Sequence, residues 1–198
     1  MQTEIIEKLA KIVQDLPSLP AVVQEVLVLL SNPSSEPEDL ERVMTRDPAL
    51  SLKVLRIANS AYYCRGREIS SLADAIVLLG FKSIRSLVLT SAVQGVLSGG
   101  GDLAAKLWEH CFAVAVGCRE TARLAGANAS EREEAFLAGL FHDIGKGAIA
   151  QRFPGVYVRG LSLEGEVESL GFHHGHLGKA LLEKWGIPET LTDSVGAH

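Results

Sequence analysis

Proline in this chain stands at the joints between apolar runs, and that placement confines it to short helices linked by short turns. Proline has no amide hydrogen and fixes φ at about −65°, so it suits the first turn of a helix and breaks its interior. Ile5, Leu9, Ile12 and Leu16 recur at helical spacing with Glu4, Lys8, Lys11 and Asp15 between them, and Pro17 ends the run. Pro20 opens a second helix bearing Val22, Val23, Val26, Leu27 and Leu30, and Asn32 to Ser35 is a loop. Pro37 starts a third helix, and Asp47-Pro48 pairs a capping carboxylate with a first-turn proline to start a fourth through Leu52, Val54 and Ala58. Pro188 begins a last helix that runs to His198.

Composition points the same way. Hydrophobic residues make up 47% of the 198 while aromatics make up 6%, which favours close-packed helices over a sandwich of strands. The expected fold is all-α. Ala61 to Ile69 reads as a polar loop, Ser70 or Ser71 caps a helix ending at Gly80, and a further helix carries Ile84, Leu87 and Val88. Ser98 followed by Gly99, Gly100 and Gly101 is the clearest breaker, which places an N-terminal lobe at 1–98 and a C-terminal lobe at 99–198. Asp102 then caps a long helix through Cys111 and Cys118 to about Gly126, and His174 to Trp185 is helical again. Gly155 to Glu168 gives no clear pattern, and Glu164, Glu166 and Glu168 read as a solvated face.

Net charge of −5 supplies no global field toward nucleic acid or anionic membrane. No run approaches the roughly 20 uninterrupted apolar residues of a membrane span, and the N-terminus lacks a signal-peptide layout, so the expected location is the cytoplasm. Cys64, Cys111 and Cys118 form no Cys-x-x-Cys and read as reduced thiols. Arg46, Lys53, Arg56, Arg65, Arg67, Lys82 and Arg85 concentrate positive charge before the glycines, either as a solvated helix face or as a docking face beside Tyr62 and Tyr63.

The chemistry lies after the glycines. Phe136 to Lys146 ends an apolar run in His142-Asp143. Ser130 and Glu133 read as a capping box that starts this helix near Glu131, and Gly145 reads as its stop. The partial negative charge of a helix C-terminus, with Asp143, favours a cation held by the pair. A complete site needs three or four donors, so others must come from elsewhere. All six histidines, His110, His142, His173, His174, His176 and His198, fall in this lobe.

Taken together, Leu16-Pro-Ser-Leu-Pro20, Asp47-Pro-Ala-Leu50, Lys53 to Ser60, Ala75-Ile-x-x-Leu-Gly80, Leu107-Trp108-x-His110, Ala138 to Lys146, Gly171-x-x-His174-x-x-x-Gly178 and Lys184-Trp185-x-x-Pro188 resemble an HDOD domain. This is a module of bacterial signalling proteins related to the HD metal-dependent phosphohydrolases. The resemblance covers about residues 14 to 198 and implies a two-lobed helical bundle that acts through a signalling protein or another domain, usually without hydrolase activity. Residue by residue it implies metal-ligand roles for His110, His142, Asp143, His174 and His198, with Fe, Mn, Zn or Ni, or no metal, as cofactor.

Lys146 matches the lysine that faces phosphate in the related HD-GYP phosphodiesterases. If the chain were such an enzyme, acting on a nucleotide or cyclic nucleotide, Asp143 would orient water or accept its proton and Lys146 would offset phosphoryl charge. The 198 residues contain neither the His-His-Glu nor the Gly-Tyr-Pro signature of those enzymes, and HDOD domains usually continue with further helices. A plainer reading stands beside each role. His142-Asp143 can be a structural pair held by backbone groups, His110 a core histidine, His174 a helix cap and Lys146 a surface lysine at a helix C-terminus. His198 is expected to fray, and His173 and His176 to face solvent.

Overall fold

The computed structural model describes residues 2–16, 18–61, 63, 68–98, 101–153, 155, 157 and 162–198. Pro17, Tyr62, Cys64, Arg65, Arg67, Gly99 and Gly100, with the side chains of residues 2–8, lie outside the described residues. All regular structure among the described residues is helical: α1 (Gln2–Asp15), α2 (Ala21–Ser31), α3 (Pro37–Met44), α4 (Pro48–Ala58), α5 (Leu72–Val96), α6 (Gly101–Leu124), α7 (Ala129–Phe141), α8 (Ile144–Arg152), α9 (Leu163–Leu170), α10 (His174–Lys184) and α11 (Glu189–Gly196). Two compact units result, one of Leu19–Ala92 and one that joins Met1–Ser18 to Val93–His198.

In the Leu19–Ala92 unit the proline and cap signals act much as their chemistry requires. Asp47 Oδ1 accepts hydrogen bonds from the amides of Ala49 and Leu50, both at 3.0 Å, with Pro48 in the first helical position. Pro20 sits one residue earlier than expected, as the N-cap of α2 in extended geometry. Ser71 Oγ accepts from the Asp74 amide at 3.3 Å, so Ser71 heads α5. Asn59 staples the loop after α4, donating to the Ile69 carbonyl at 2.7 Å and accepting from the Ile69 amide at 2.8 Å. Gly80 divides α5, with φ 77° and ψ 156°, a conformation that a residue bearing Cβ adopts only under strain.

α5 is long and apolar enough by length and composition to cross a membrane, with 44% of its most apolar window buried. Asp74, Lys82, Arg85 and the break at Gly80 interrupt it, and Ile76, Ile84, Val88 and Leu89 are buried, the pattern of a core helix. The basic residues Arg46 and Lys53 have partners within this unit. Arg46 pairs with Glu25 at 2.5 Å, and Lys53 Nζ donates to Ser91 Oγ at 3.3 Å.

The second unit is built on close helix crossings at small residues. A Cβ on Gly139 of α7 would stand 2.8 Å from the Ala115 Cα of α6, so those helices pack backbone to backbone around buried Cys111 and Ala115. A Cβ on Gly145 of α8 would overlap the His174 carbonyl at the head of α10, and one on Gly178 of α10 would press on Val195 of α11. Lys184 of α10 donates to the carbonyls of Val13 and Leu16, both at 2.9 Å, and so satisfies chain-end acceptors that α1 leaves open. Phe141 and Phe172 are fully buried, each contributing about 2–3 kcal/mol of transfer free energy.

Four boundaries differ from the sequence reading. The capping box of α7 is Asn128 with Glu131: Asn128 Oδ1 accepts from the Ser130 and Glu131 amides, and the Glu131 carboxylate accepts from the Asn128 amide at 2.7 Å. Two overlapping box patterns compete here, and the upstream one starts the helix two residues earlier. Asp102 lies inside the first turn of α6 rather than before it. Gly145 does not stop the HD helix; α7 ends at Phe141, α8 starts at Ile144, and Gly145 permits the α8–α10 approach. α11 ends at Gly196, two residues short of His198.

Gly145→Ala is therefore expected to lose about 1–3 kcal/mol or more through backbone displacement. Gly117→Ala on α6, where a Cβ meets nothing within 4 Å, should gain up to about 1 kcal/mol. Urea denaturation of the two variants checks both signs, and a neutral Gly145→Ala would refute the close crossing.

Candidate metal centre

His142 and Asp143 occupy the two-residue joint between α7 and α8, His142 as the C-cap of one helix and Asp143 as the N-cap of the next. Asp143 makes no capping hydrogen bond to α8, which leaves its carboxylate free to turn inward, where the positive end of the α8 dipole still favours its charge. His142 Nδ1 lies 2.7 Å from the Gly139 carbonyl, so Nδ1–H donates there while Nε2 faces the carboxylate. Each role follows from the local chain: the turn separates neighbours that one helix would point about 100° apart.

Around the Asp143 carboxylate, 3% exposed, four histidines and a lysine converge from α6, α7, α8, α10 and the segment after α11. Oδ2 faces His142 Nε2 at 3.3 Å and His110 Nε2 at 3.5 Å. Oδ1 faces His174 Nε2 at 3.2 Å and His198 Nε2 at 3.7 Å. Lys146 Nζ reaches both oxygens, at 2.8 and 2.9 Å. Two three-residue donor sets share Asp143, one of His110, His142 and Asp143, the other of Asp143, His174 and His198. His110 and His142 also bring their Nε2 atoms within 3.1 Å of each other.

Burial by itself would raise the Asp143 pKa; the approach of His142, His174 and Lys146 overrides it and holds the carboxyl well below the usual carboxylate range. Burial would likewise lower the His142 pKa, but Asp143 and the Gly139 carbonyl turn the net shift upward. His198 is held below its ordinary value by desolvation and by its histidine neighbours.

Glu166 completes the arrangement, and the sequence reading assigned it to a solvated face. Glu164 and Glu168 are indeed exposed, whereas Glu166 is 1% exposed. It accepts from the His174 amide at 2.6 Å, lies 2.9 Å from His174 Nδ1, and accepts from the Tyr157 hydroxyl at 2.8 Å. Ser162 caps the helix that carries it, α9, accepting from the Gly165 amide at 3.2 Å. The signal available was the i, i+4 spacing of Glu166 from the apolar Leu170, which puts both on the inward face of α9.

These contacts test the fit for a metal ion. With a proton on Nδ1 donated to Glu166, a neutral His174 would present its Nε2 lone pair toward Asp143 Oδ1. Both atoms are buried; among the described residues His174 Nε2 has no hydrogen-bond partner, while Oδ1 has the Lys146 ammonium at 2.8 Å. Two buried acceptors 3.2 Å apart repel unless a cation or an extra proton lies between them. Four imidazoles and a carboxylate are donors suited to a borderline divalent ion, so the residues fit one.

The other sequence assignments fall as follows. Lys146 stands in the first turn of α8, not at a helix C-terminus, and is held by Asp143 rather than by a helix dipole. His173 is the helix cap that His174 was read to be: its Nδ1 accepts from the Gly175 amide at 3.1 Å, and it is half-buried. His176 is exposed, as expected. Cys111 and Cys118 are free thiols.

The model of the HDOD domain family matches residues 16–198. Among solved structures, a candidate phosphohydrolase from Shewanella amazonensis SB2B is 33% identical with a TM-score of 0.76, over 96% of this chain and 70% of that one. An HDOD domain protein of unknown function from Geobacter sulfurreducens is 26% identical with a TM-score of 0.75, over 98% and 70%. An uncharacterized protein from Treponema pallidum (strain Nichols) is 21% identical, and the chain spans 40% of the length of that curated relative.

Burial, with the Asp143 charge, pushes the Cys111 thiol up from 9.0 to about 12. The unfolded chain gives up this proton first, so the thiol costs nothing below pH 9 and makes stability fall as pH rises from 9 toward 12. Iodoacetamide at pH 9 should modify Cys111 only after urea is added; native labelling at the unfolded rate, read by mass spectrometry, would contradict its burial.

Proposed function

The chain belongs to the HDOD domain family, and on that footing we propose that it is a cytoplasmic signal-transduction module that holds one divalent metal ion and acts on a partner protein or domain without turning over a substrate. The observation that carries this reading is the buried His174 Nε2, which has no hydrogen-bond partner among the described residues and lies 3.2 Å from Asp143 Oδ1 inside a ring of histidines. His110, His142, Asp143, His174 and His198 would hold the ion; Fe, Mn, Zn and Ni all suit the donors. A bound divalent ion supplies Lewis acidity and lowers the pKa of water.

The balance of donors favours a structural or regulatory ion. Asp143 is the one carboxylate in either donor set, Glu166 is turned to the far side of His174, and Lys146 is committed to Asp143. Phosphoryl transfer by two ions asks for more anionic ligands to offset their charge. With the ion held by side chains of α6, the α7–α8 joint, α10 and the C-terminal segment, its gain or loss would alter how firmly these helices are tied, which is a means of passing a signal.

A second reading, a metal-dependent phosphohydrolase acting on a nucleotide or cyclic nucleotide, draws on the exposure of the site's rim. The side chains of His110 and His198 are 54% and 46% exposed, so small anions could reach the centre. In that case Asp143 would orient the attacking water and Lys146 would meet the phosphoryl oxygens.

Elemental mass spectrometry of protein purified without added metal or chelator, for the wild type and a His142→Ala/Asp143→Ala double variant, tests the metal. Near-stoichiometric metal lost in the variant is expected. Wild-type protein that stays metal-free after Fe, Mn, Zn and Ni are offered would sink the metal reading. A phosphatase or phosphodiesterase rate that the double variant abolishes would replace the non-catalytic reading with the second.

A further inference from the structure

The hydrogen-bond chain from half-buried Tyr157 through buried Glu166 to buried His174 has a use beyond filling the core. Glu166 and its partners lie on the Nδ1 side of the His174 ring, away from Asp143, and Glu166 is in neither donor set. A ring has two nitrogens and one tautomer faces each way. Whichever group claims the Nδ1 proton decides what Nε2 offers on the other side.

We propose that Glu166 is a positioning residue that holds His174 with its proton on Nδ1, so that the Nε2 lone pair is presented to a cation beside Asp143, and that Tyr157 fixes the carboxylate for this task. The inference deepens the metal reading above and rests on it for its effect on affinity. Three observations carry it. Both Glu166 oxygens lie within hydrogen-bond reach of Nδ1, at 3.1 and 2.9 Å. The Tyr157 hydroxyl donates to Oε1 at 2.8 Å and stops the carboxylate from rotating away. Residue burial leaves no water-facing alternative, with Glu166 at 1% and His174 at 3% exposure, while Nε2 finds no hydrogen-bond partner among the described residues.

The backbone gives Glu166 a competing and purely structural job. Its Oε2 accepts from the His174 amide at 2.6 Å, which alone would tie α9 to the head of α10. A structural role predicts that removing the charge lowers the melting temperature of metal-free protein and leaves the metal affinity of the folded protein unchanged. The positioning role predicts a change in affinity, because carboxylate partners of ligating histidines typically contribute 10–100-fold.

The experiment has two arms on the full chain. The first is NMR detection of the His174 ring protons and nitrogens in metal-free and Zn²⁺-loaded wild type, assigned with His174→Gln. A proton on Nδ1 in both states is expected, and a bare Nδ1 overturns the proposal whether or not metal binds. The second is calorimetric titration with Zn²⁺ of wild type, Glu166→Gln and Tyr157→Phe, each checked for folding by circular dichroism. Glu166→Gln should bind about 10–100-fold more weakly. Tyr157→Phe, which removes only a hydroxyl, should show a smaller loss in the same direction. Wild-type affinity in folded Glu166→Gln overturns the positioning role. If wild type takes up no Zn²⁺ and none of the other ions, the metal reading fails and takes the affinity claim with it, while the NMR arm still decides the position of the proton.

Discussion

A carboxylate with 3% exposure has to be surrounded by positive or donating groups, and this requirement at Asp143 organises the unit that contains it. Removing an ionised group from water without compensation costs several kcal/mol, which no single helix can offset. Lys146 from the next turn supplies a positive charge, and His142 from the adjoining residue, His110 from α6, His174 from α10 and His198 from beyond α11 enclose the carboxylate. Packing and charge are thereby coupled. A helix that drifts outward takes a donor from a buried anion.

The packing serves that coupling through small residues. Gly145 lets α8 lie against the His174 backbone, which sets the Asp143-bearing joint within 3.2 Å of the His174 ring. Gly139 lets α7 lie against α6, which brings His110 and His142 to 3.1 Å. Larger side chains at these crossings would add apolar area and lose the centre. Behind His174, Glu166 and Tyr157 form a second polar layer, acceptable in a core because each member is hydrogen-bonded.

The chain belongs to the HDOD family and is similar to a structure described as a phosphohydrolase. The composition of the cluster bears on both themes. Four imidazoles and a lysine around one carboxylate make a nest with limited capacity to offset the charge of two ions and a phosphate. An ion in such a nest serves well as a tie between helices, and a tie that can be made or released is what a signalling module needs. The same nest opens to solvent at His110 and His198, so its chemistry is reachable from outside.

Local chemistry was legible in the sequence wherever one residue decides the backbone. Prolines at positions 37 and 48, the Asp47 cap, the break at Gly80 and the helical periodicity all act over a few residues, and the all-α fold follows from them. The resemblance to the HDOD family brought His110, His142, Asp143, His174 and His198 together as a set, and the fold places their rings around one carboxylate. Ser130 with Glu133 reads as the capping box, and Asn128 with Glu131 takes that role because it satisfies the same local rule. Gly145 looked like a helix stop because a glycine's freedom is a local property, whereas its use here is room for another helix. Glu166 looked solvated because a run of alternate glutamates carries no mark of which one faces inward; only a partner eight residues away in sequence, His174, makes its burial affordable. The sequence by itself determined the helices and the inventory of donors. Tertiary structure alone decided which donors meet, since distances between side chains on different helices depend on crossings that no local pattern encodes.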